Sequence, residues 1–279
     1  MSEVVIRLGF FFGIFILVAL WELLFPRRSL TTSKTVRWLS NLGITFLNPV
    51  VARLTFPVTP MGMALLAQKS SWGLLNNFNL PYSLEVLVGV MVLDLVIYLQ
   101  HVMFHTIPVL WRLHMMHHAD LDFDVTTGLR FHPIEIMLSL VIKLAVVVLV
   151  GPAALAVLIF AVLLNATSMF NHGNIRLPLS IDRWLRLIVV TPDMHRVHHS
   201  VTIRETNSNF GFNLPWWDRL LGTYRDQPAA GHQGMTIGLA QFRDAKRLTL
   251  PWMLALPFIG KTGEYAINRR GREPVSGSK

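Results

Sequence analysis

Long apolar segments alternate with short polar ones along the first two thirds of the chain. Residues 4–25 and 84–104 are each long enough to cross a bilayer as a helix, and residues 38–56 form a weaker span that two asparagines and a proline interrupt. The pattern therefore predicts three membrane-spanning helices before residue 105.

A fourth apolar segment, residues 134–170, contains a helix breaker near its middle. Gly151-Pro152 divides it into halves of about 17 residues, which is close to the shortest helix that spans a bilayer. We predict a helical hairpin that enters the membrane and returns. His132 and His172, which flank it, then lie on the same side.

The remaining segments are polar or amphipathic. Residues 106–133 and 191–225 are polar, and residues 181–190 suit a helix lying on the membrane surface. We predict an all-α integral membrane protein with four to five transmembrane helices, including the hairpin, and a cytoplasmic, histidine-rich helical cap. The expected organisation is an N-terminal membrane region at 1–83, a catalytic region at 84–226 and a C-terminal interfacial segment with a basic tail at 227–279.

Composition supports a membrane protein and restricts its chemistry. The chain is 52% hydrophobic and 15% charged, whereas soluble domains have about 25% charged residues. It has no cysteine, so disulfides, cysteine-ligated iron–sulfur clusters and zinc fingers are excluded. Any metal must be held by His, Asp or Glu.

The net charge of +9 comes from basic residues that lie just outside the apolar spans. Cytoplasmic enrichment of Lys and Arg and contact with anionic lipid explain this placement better than nucleic-acid binding does. The residues concerned are Arg27, Arg28, Lys34, Arg37, Arg183, Arg186, Lys246, Arg247, Arg269, Arg270 and Arg272. They indicate an orientation with the polar segments in the cytoplasm.

Histidines are concentrated in one part of the chain. Ten of the eleven lie between His101 and His199, and eight of them form one H-x3-H and two H-x2-HH motifs. The eight are His101, His105, His114, His117, His118, His195, His198 and His199. Chance produces such a set very rarely, so the motifs predict a site rather than isolated core histidines.

The spacing favours a centre with two metal ions. Histidines three or four apart share a helix face, so three helix ends can direct imidazoles into one volume. Eight imidazoles exceed the four ligands of a tetrahedral zinc, and His132 and His172 are candidate ninth and tenth ligands. Iron suits oxygen chemistry at such a site, and zinc also accepts imidazole ligands.

Together the motifs resemble the fatty acid hydroxylase / sterol desaturase superfamily over about residues 84–226. They are Asp94-x3-Tyr98-x2-His101-x3-His105, Trp111-Arg112-x-His114-x2-His117-His118, Arg130-x-His132-Pro133-x-Glu135, Asn171-His172-Gly173, His195-x2-His198-His199, Asn209-Phe210-Gly211 and Trp217-Asp218-Arg219-Leu220-x-Gly222-Thr223-Tyr224. The resemblance implies a membrane-bound, non-haem di-iron oxygenase that hydroxylates or desaturates a lipid with O2 and external electrons.

We expect the electrons to come from another protein, because the haem-binding His-Pro-Gly-Gly motif of cytochrome b5 domains does not occur in this sequence. A ferredoxin, a cytochrome b5 or a reductase is the expected type of donor, and a basic surface suits an acidic one. Two alternatives remain. One is a membrane zinc hydrolase, although its H-E-x-x-H motif does not occur in this sequence, and the other is a non-catalytic metal-binding membrane protein.

Carboxylates near the histidines have several possible roles. Two carboxylates are candidates to accept hydrogen bonds from metal-bound imidazoles: Asp94, two turns before His101 in a span, and Glu135, close after His132. Asp94 could instead form a structural hydrogen bond to another helix. Asp193 suits either that role or a helix N-cap. The three aspartates Asp120, Asp122 and Asp124 are expected in a solvated loop. Trp216 and Trp217 suit an interfacial belt or the lining of a substrate tunnel.

Overall fold

The computed structural model describes residues 2–267, which fold into α-helices with short 3-10 turns and no strand longer than an isolated bridge. The helices are α1 (Glu3–Leu24), α2 (Lys34–Thr55), α3 (Pro60–Lys69), α4 (Tyr82–Thr106), α5 (Pro108–His118), α6 (Pro133–Val150), α7 (Ala154–Asn171), α8 (Leu179–Leu185), α9 (Pro192–His198), α10 (Ile203–Thr206), α11 (Trp216–Leu220), α12 (Gly231–Gly234) and α13 (Leu250–Ile259). Arg269, Arg270 and Arg272 of the expected basic tail lie outside the described residues.

Five helical segments are long and apolar enough to cross a membrane: α1, α2 together with α3, α4, α6 and α7. This result confirms the predicted all-α membrane fold with four to five spans and a hairpin. The α6–α7 turn depends on Gly151, whose φ is +66°. A Cβ added at this position would lie 2.7 Å from the Trp72 carbonyl oxygen. Residues 72–76 therefore close over the tip of the hairpin.

The other ends of the spans meet at the polar cap, which we define as residues 107–132 and 172–249. His132 is the N-cap of α6 and His172 is the C-cap of α7, so both feet of the hairpin are in the cap, as the sequence predicted. The C-terminal end of α1 joins them, because the Arg27 N–H donates to Asn174 O at 2.8 Å. The ends of α1, α4, α6 and α7 thus support one face of the cap.

One polar cluster joins α2 to the loop after α5. The Arg37 guanidinium donates to Asp120 at 2.7 and 2.9 Å and to Asp124 at 2.6 Å, and all three side chains are buried. Asp122 accepts hydrogen bonds from Thr31 and Thr32. The prediction of a solvated loop for these aspartates was wrong, because the partners that compensate their burial lie 83–91 residues away in the chain.

Several basic residues likewise form internal contacts instead of facing lipid head groups. Arg27 pairs with Asp193 at 3.0 Å, Arg28 donates to the His232 carbonyl, and Arg186 pairs with Asp182 inside the cap. Part of the positive charge at the ends of the spans therefore stabilises the cap.

We expect Arg37→Leu to destabilise the protein strongly. Removing one partner of a buried ion pair typically costs about 3–5 kcal/mol, since the other charges stay buried without compensation. Thermal unfolding in detergent, followed by tryptophan fluorescence, measures the loss. Arg183→Leu changes an exposed arginine and should alter the unfolding temperature little; equal effects of the two substitutions would contradict the assigned role of Arg37.

Candidate metal centre

Nine buried histidines gather into two adjacent groups. The five-histidine group consists of His101, His105, His114, His118 and His198, and the four-histidine group consists of His117, His172, His195 and His199. Within each group, the candidate ligand nitrogens all lie within 4.8 Å of one another. The sequence motifs therefore converge on one volume at the cap end of the bundle.

Each H-x2-HH motif contributes to both groups. On α5, His114 and His118 are four residues apart and share a face that joins the five-histidine group, while His117 turns to the other group. At α9 the division is reversed: His198 joins the five-histidine group, and His195 and His199 belong to the four-histidine group. The doubled histidines place the two groups side by side.

Oxygen acceptors orient most of these imidazoles through Nδ1. The acceptors for the five-histidine group include Phe210 O for His101, Asn207 Oδ1 for His105, Glu135 Oε1 for His114 and Ser208 O for His198, at 2.7–3.1 Å. His117 and His172 face Arg130 O and Ser168 O at 3.2 and 2.7 Å. A proton on Nδ1 leaves the Nε2 lone pair free to bind a metal.

The inward-facing nitrogens fit bound cations. Nε2 of His101 lies 3.1 Å from Nε2 of His114, His105 and His118 face each other at 3.1 Å, and His117 and His172 do so at 3.2 Å. Both ring nitrogens of His195 and His199 and Nε2 of His198 are buried and have no hydrogen-bond partner among residues 2–267. Because buried polar atoms without partners are costly, these residues fit two metal ions.

Burial also keeps the imidazoles neutral, the form that binds metal. It lowers the pKa of His117, His118, His195, His198 and His199 well below 6.5, and the neighbouring imidazoles lower it further. Burial lowers the pKa of His172 to about 3. The pocket therefore disfavours protonation, the main competitor of metal binding at these nitrogens.

The segment 207–211 is a part of the site to which the sequence assigned no role. Asn207, Ser208 and Phe210 each supply an oxygen acceptor to a histidine of the five-histidine group. The Asp218 carboxylate accepts from the Phe210 and Gly211 N–H groups at 2.8 Å, and burial raises its pKa to about 6. The signal in the sequence was the Asn209-Phe210-Gly211 motif, which carried part of the family resemblance but did not show what these residues contact.

Three other residues that the sequence proposed for the site, Asp94, His132 and Asp193, form their main contacts outside the two histidine groups. Asp94 accepts hydrogen bonds from Asn213 at 2.7 Å and from Trp217 at 2.8 Å, so its partners are residues of the polar cap. His132 lies outside both groups, where its Nε2 faces Leu254 O at 3.2 Å. Thr191 caps α9, and Asp193 pairs with Arg196, whose guanidinium lies over the Phe123 ring beside His172.

We expect Asp218→Asn to loosen the five-histidine group. The amide replaces one carboxylate oxygen by an NH2 group, so one of the two backbone N–H groups faces another donor. Loss of a hydrogen bond to a charged acceptor costs about 1.5–3 kcal/mol. The measurements are the unfolding temperature and the metal content after purification. Asp226→Asn is the matched control, because that carboxylate is 67% exposed; wild-type metal content and stability in Asp218→Asn would refute the prediction.

Comparison of the sequence with known proteins matches the region that holds this site. The sequence model of the fatty acid hydroxylase family matches residues 86–223, which hold all nine clustered histidines. Ornithine lipid hydroxylase OlsE of Rhizobium tropici is 26% identical over 94% of this chain and 76% of its own length.

Alkylglycerol monooxygenases are similar over a shorter region. The Homo sapiens protein is 26% identical over 63% of this chain and 39% of its own length. The Xenopus tropicalis protein is 30% identical over 49% of this chain and 29% of its own. No solved structure matches the chain. The family match and the hydroxylase relatives together show that the chain belongs to the fatty acid hydroxylase superfamily and is an oxidoreductase.

Proposed function

We propose that this protein hydroxylates a membrane lipid at a non-haem di-iron centre held by the two histidine groups, with desaturation as the related outcome. The observation that carries the proposal is the pair of adjacent, buried groups of imidazoles at the cap end of the membrane helices. Iron suits the role better than zinc, because zinc has no redox chemistry. Residues 84–226 form the catalytic region in this proposal, with 1–83 and 227–279 as its flanking regions.

Two irons held by the neutral imidazoles of the two histidine groups would supply reductive activation of O2, in which one oxygen atom is inserted into a C–H bond and the other is reduced to water by two external electrons and two protons. Aromatic side chains of the protein surround these imidazoles. Phe131 stacks on His117 at 4.4 Å between ring centroids, and Phe212 lies 5.0 Å from His101. These rings exclude water and offer a surface to an alkyl chain.

The relatives indicate the lipid classes to test first. One is a hydroxylase of ornithine lipids and others are monooxygenases of alkylglycerols, so we propose a lipid with a polar amino-acid or glycerol head group. The chain covers 76% of the first relative and 39% of the human one. Acyl-amino-acid lipids therefore come first and alkylglycerol ethers second.

We further propose that the cap faces the cytoplasm and receives electrons there from a separate protein of the ferredoxin, cytochrome b5 or reductase type. Support comes from the cationic side chains at the cap end of the spans, among them the exposed Arg176, Arg183 and Lys246. An acidic donor would find complementary charge on this side.

Comparative lipidomics tests the activity. Cells that express the wild-type protein should accumulate a lipid that has gained one oxygen atom or lost two hydrogens, and cells that express His117→Ala should not. The purified protein should contain iron and consume O2 when lipid and reductant are supplied. Activity of an iron-free, zinc-loaded preparation, or an identical product from His117→Ala, would refute the proposal.

A further inference from the structure

The cap carries an apolar surface on the outside and its polar side chains beneath. On residues 179–188, Trp184 is 71% exposed and Ile188 is 63% exposed, whereas Asp182 and Arg186 of the same segment are buried as an ion pair. A helix packed on a cap in water has the opposite arrangement. This inverted pattern indicates an apolar medium outside.

A second segment continues the same surface. Residues 213–221 expose Leu220 to 74% and also expose Trp216 and Leu221. The Trp216 indole donates to Leu187 O at 2.6 Å, which joins the two segments edge to edge. We call residues 179–188 and 213–221 together the cap wedge.

Contacts with two membrane spans fix the depth of the cap wedge. The Trp217 indole and the Asn213 amide donate to Asp94, the middle residue of α4, and Asn213 also bonds to Thr167 of α7. Asp94 lies seven residues before His101, which on a helix is about 10 Å further from the cap end. Residues 213–221 therefore run down beside the spans.

We propose that the cap wedge is inserted in the bilayer, where lipid acyl chains cover its exposed Trp, Leu and Ile side chains. Its continuity with α4 and α7 favours lipid over a second copy of the chain or a soluble partner, because residues 213–221 bond to both spans and lipid around the spans therefore lies beside this segment. Arg183, an exposed residue of the same surface, has a side chain long enough to reach the phosphate groups from there. The proposal does not depend on the hydroxylase activity.

Site-directed spin labelling can test this proposal. Because the sequence has no cysteine, an introduced cysteine is the single site that the label modifies. The variants Leu220→Cys and Trp184→Cys are spin-labelled and reconstituted in phosphatidylcholine vesicles. Collision of the label with O2, which concentrates in lipid, is compared with collision with a water-soluble nickel chelate. Leu17→Cys, exposed in the middle of α1, is the lipid reference, and Ala229→Cys in an exposed polar loop is the aqueous reference.

The ratio of O2 accessibility to chelate accessibility at labels on the cap wedge should match that at Leu17→Cys. It should be about tenfold higher than the ratio at Ala229→Cys, as expected for side chains below the head groups. Chelate accessibility equal to that at Ala229 would overturn the proposal. Exclusion of both reagents, with cross-linking to a second copy, would also overturn it and identify a dimer interface. Ile188→Cys replaces Trp184→Cys if the tryptophan variant unfolds at a lower temperature than the wild type.

Discussion

Substitution of His199 by alanine is expected to reduce bound metal from two ions to about one per chain and to lower lipid oxidation at least about 100-fold. His199 belongs to the four-histidine group, and its two buried ring nitrogens have no hydrogen-bond partner in the described part of the chain, so metal binding is the interaction that explains its position. Loss of residues that only orient a ligand already costs about 10–100-fold, and loss of a ligand should cost more. Elemental analysis and product formation measure the two effects.

His132→Ala is the matched control for this prediction. The sequence grouped His132 with the other histidines, but its Nδ1 accepts from the Ile134 N–H and its Nε2 faces Leu254 O. We expect full metal content and a loss of about 1 kcal/mol in stability, as for other N-cap residues. Equal metal loss in His132→Ala and His199→Ala would contradict the division that the structure makes between them.

Local patterns in the sequence predicted the spans and the region of the site. Hydrophobic segments of bilayer length need no long-range information, and the break at Gly151 is visible as a Gly-Pro step. His114 and His118, four apart on α5, share a face and join one group, so part of the clustering followed from spacing. Which histidine joins which group did not follow, because it depends on how α5 and α9 cross.

Pairs that are distant in the chain were not predictable from one sequence. Arg37 meets Asp120 across 83 positions, and His105 meets Asn207 across 102. An aspartate run next to polar residues is typical of an exposed loop, and only its partners change that interpretation. The same holds for Asp218, whose two backbone donors lie on a loop with no repeating pattern.

Acidification should destabilise the metal-free protein steeply below about pH 6.5. Six of the nine clustered histidines lie outside the spans and have a lowered pKa because they are buried: His117, His118, His172, His195, His198 and His199. Since the unfolded imidazoles titrate near 6.5, the unfolded state binds more protons below that pH. The stability is therefore complete above pH 6.5 and is lost as pH falls.

The magnitudes decide the net direction of this effect. From pH 7 to 5.5 each such histidine costs at most about 1.3 kcal/mol, so the six cost at most about 8 kcal/mol, which is comparable to the whole stability of many domains. Asp218 opposes them, because burial raises its pKa to about 6, but over the same range it returns less than about 1 kcal/mol. Thermal unfolding of metal-free protein between pH 7.5 and 5 measures the balance. Metal-loaded protein should stay stable to lower pH, because protons must then displace the metal. An unfolding temperature of the metal-free form that is constant from pH 7 to 5.5 would mean that these imidazoles are not buried as the structure places them.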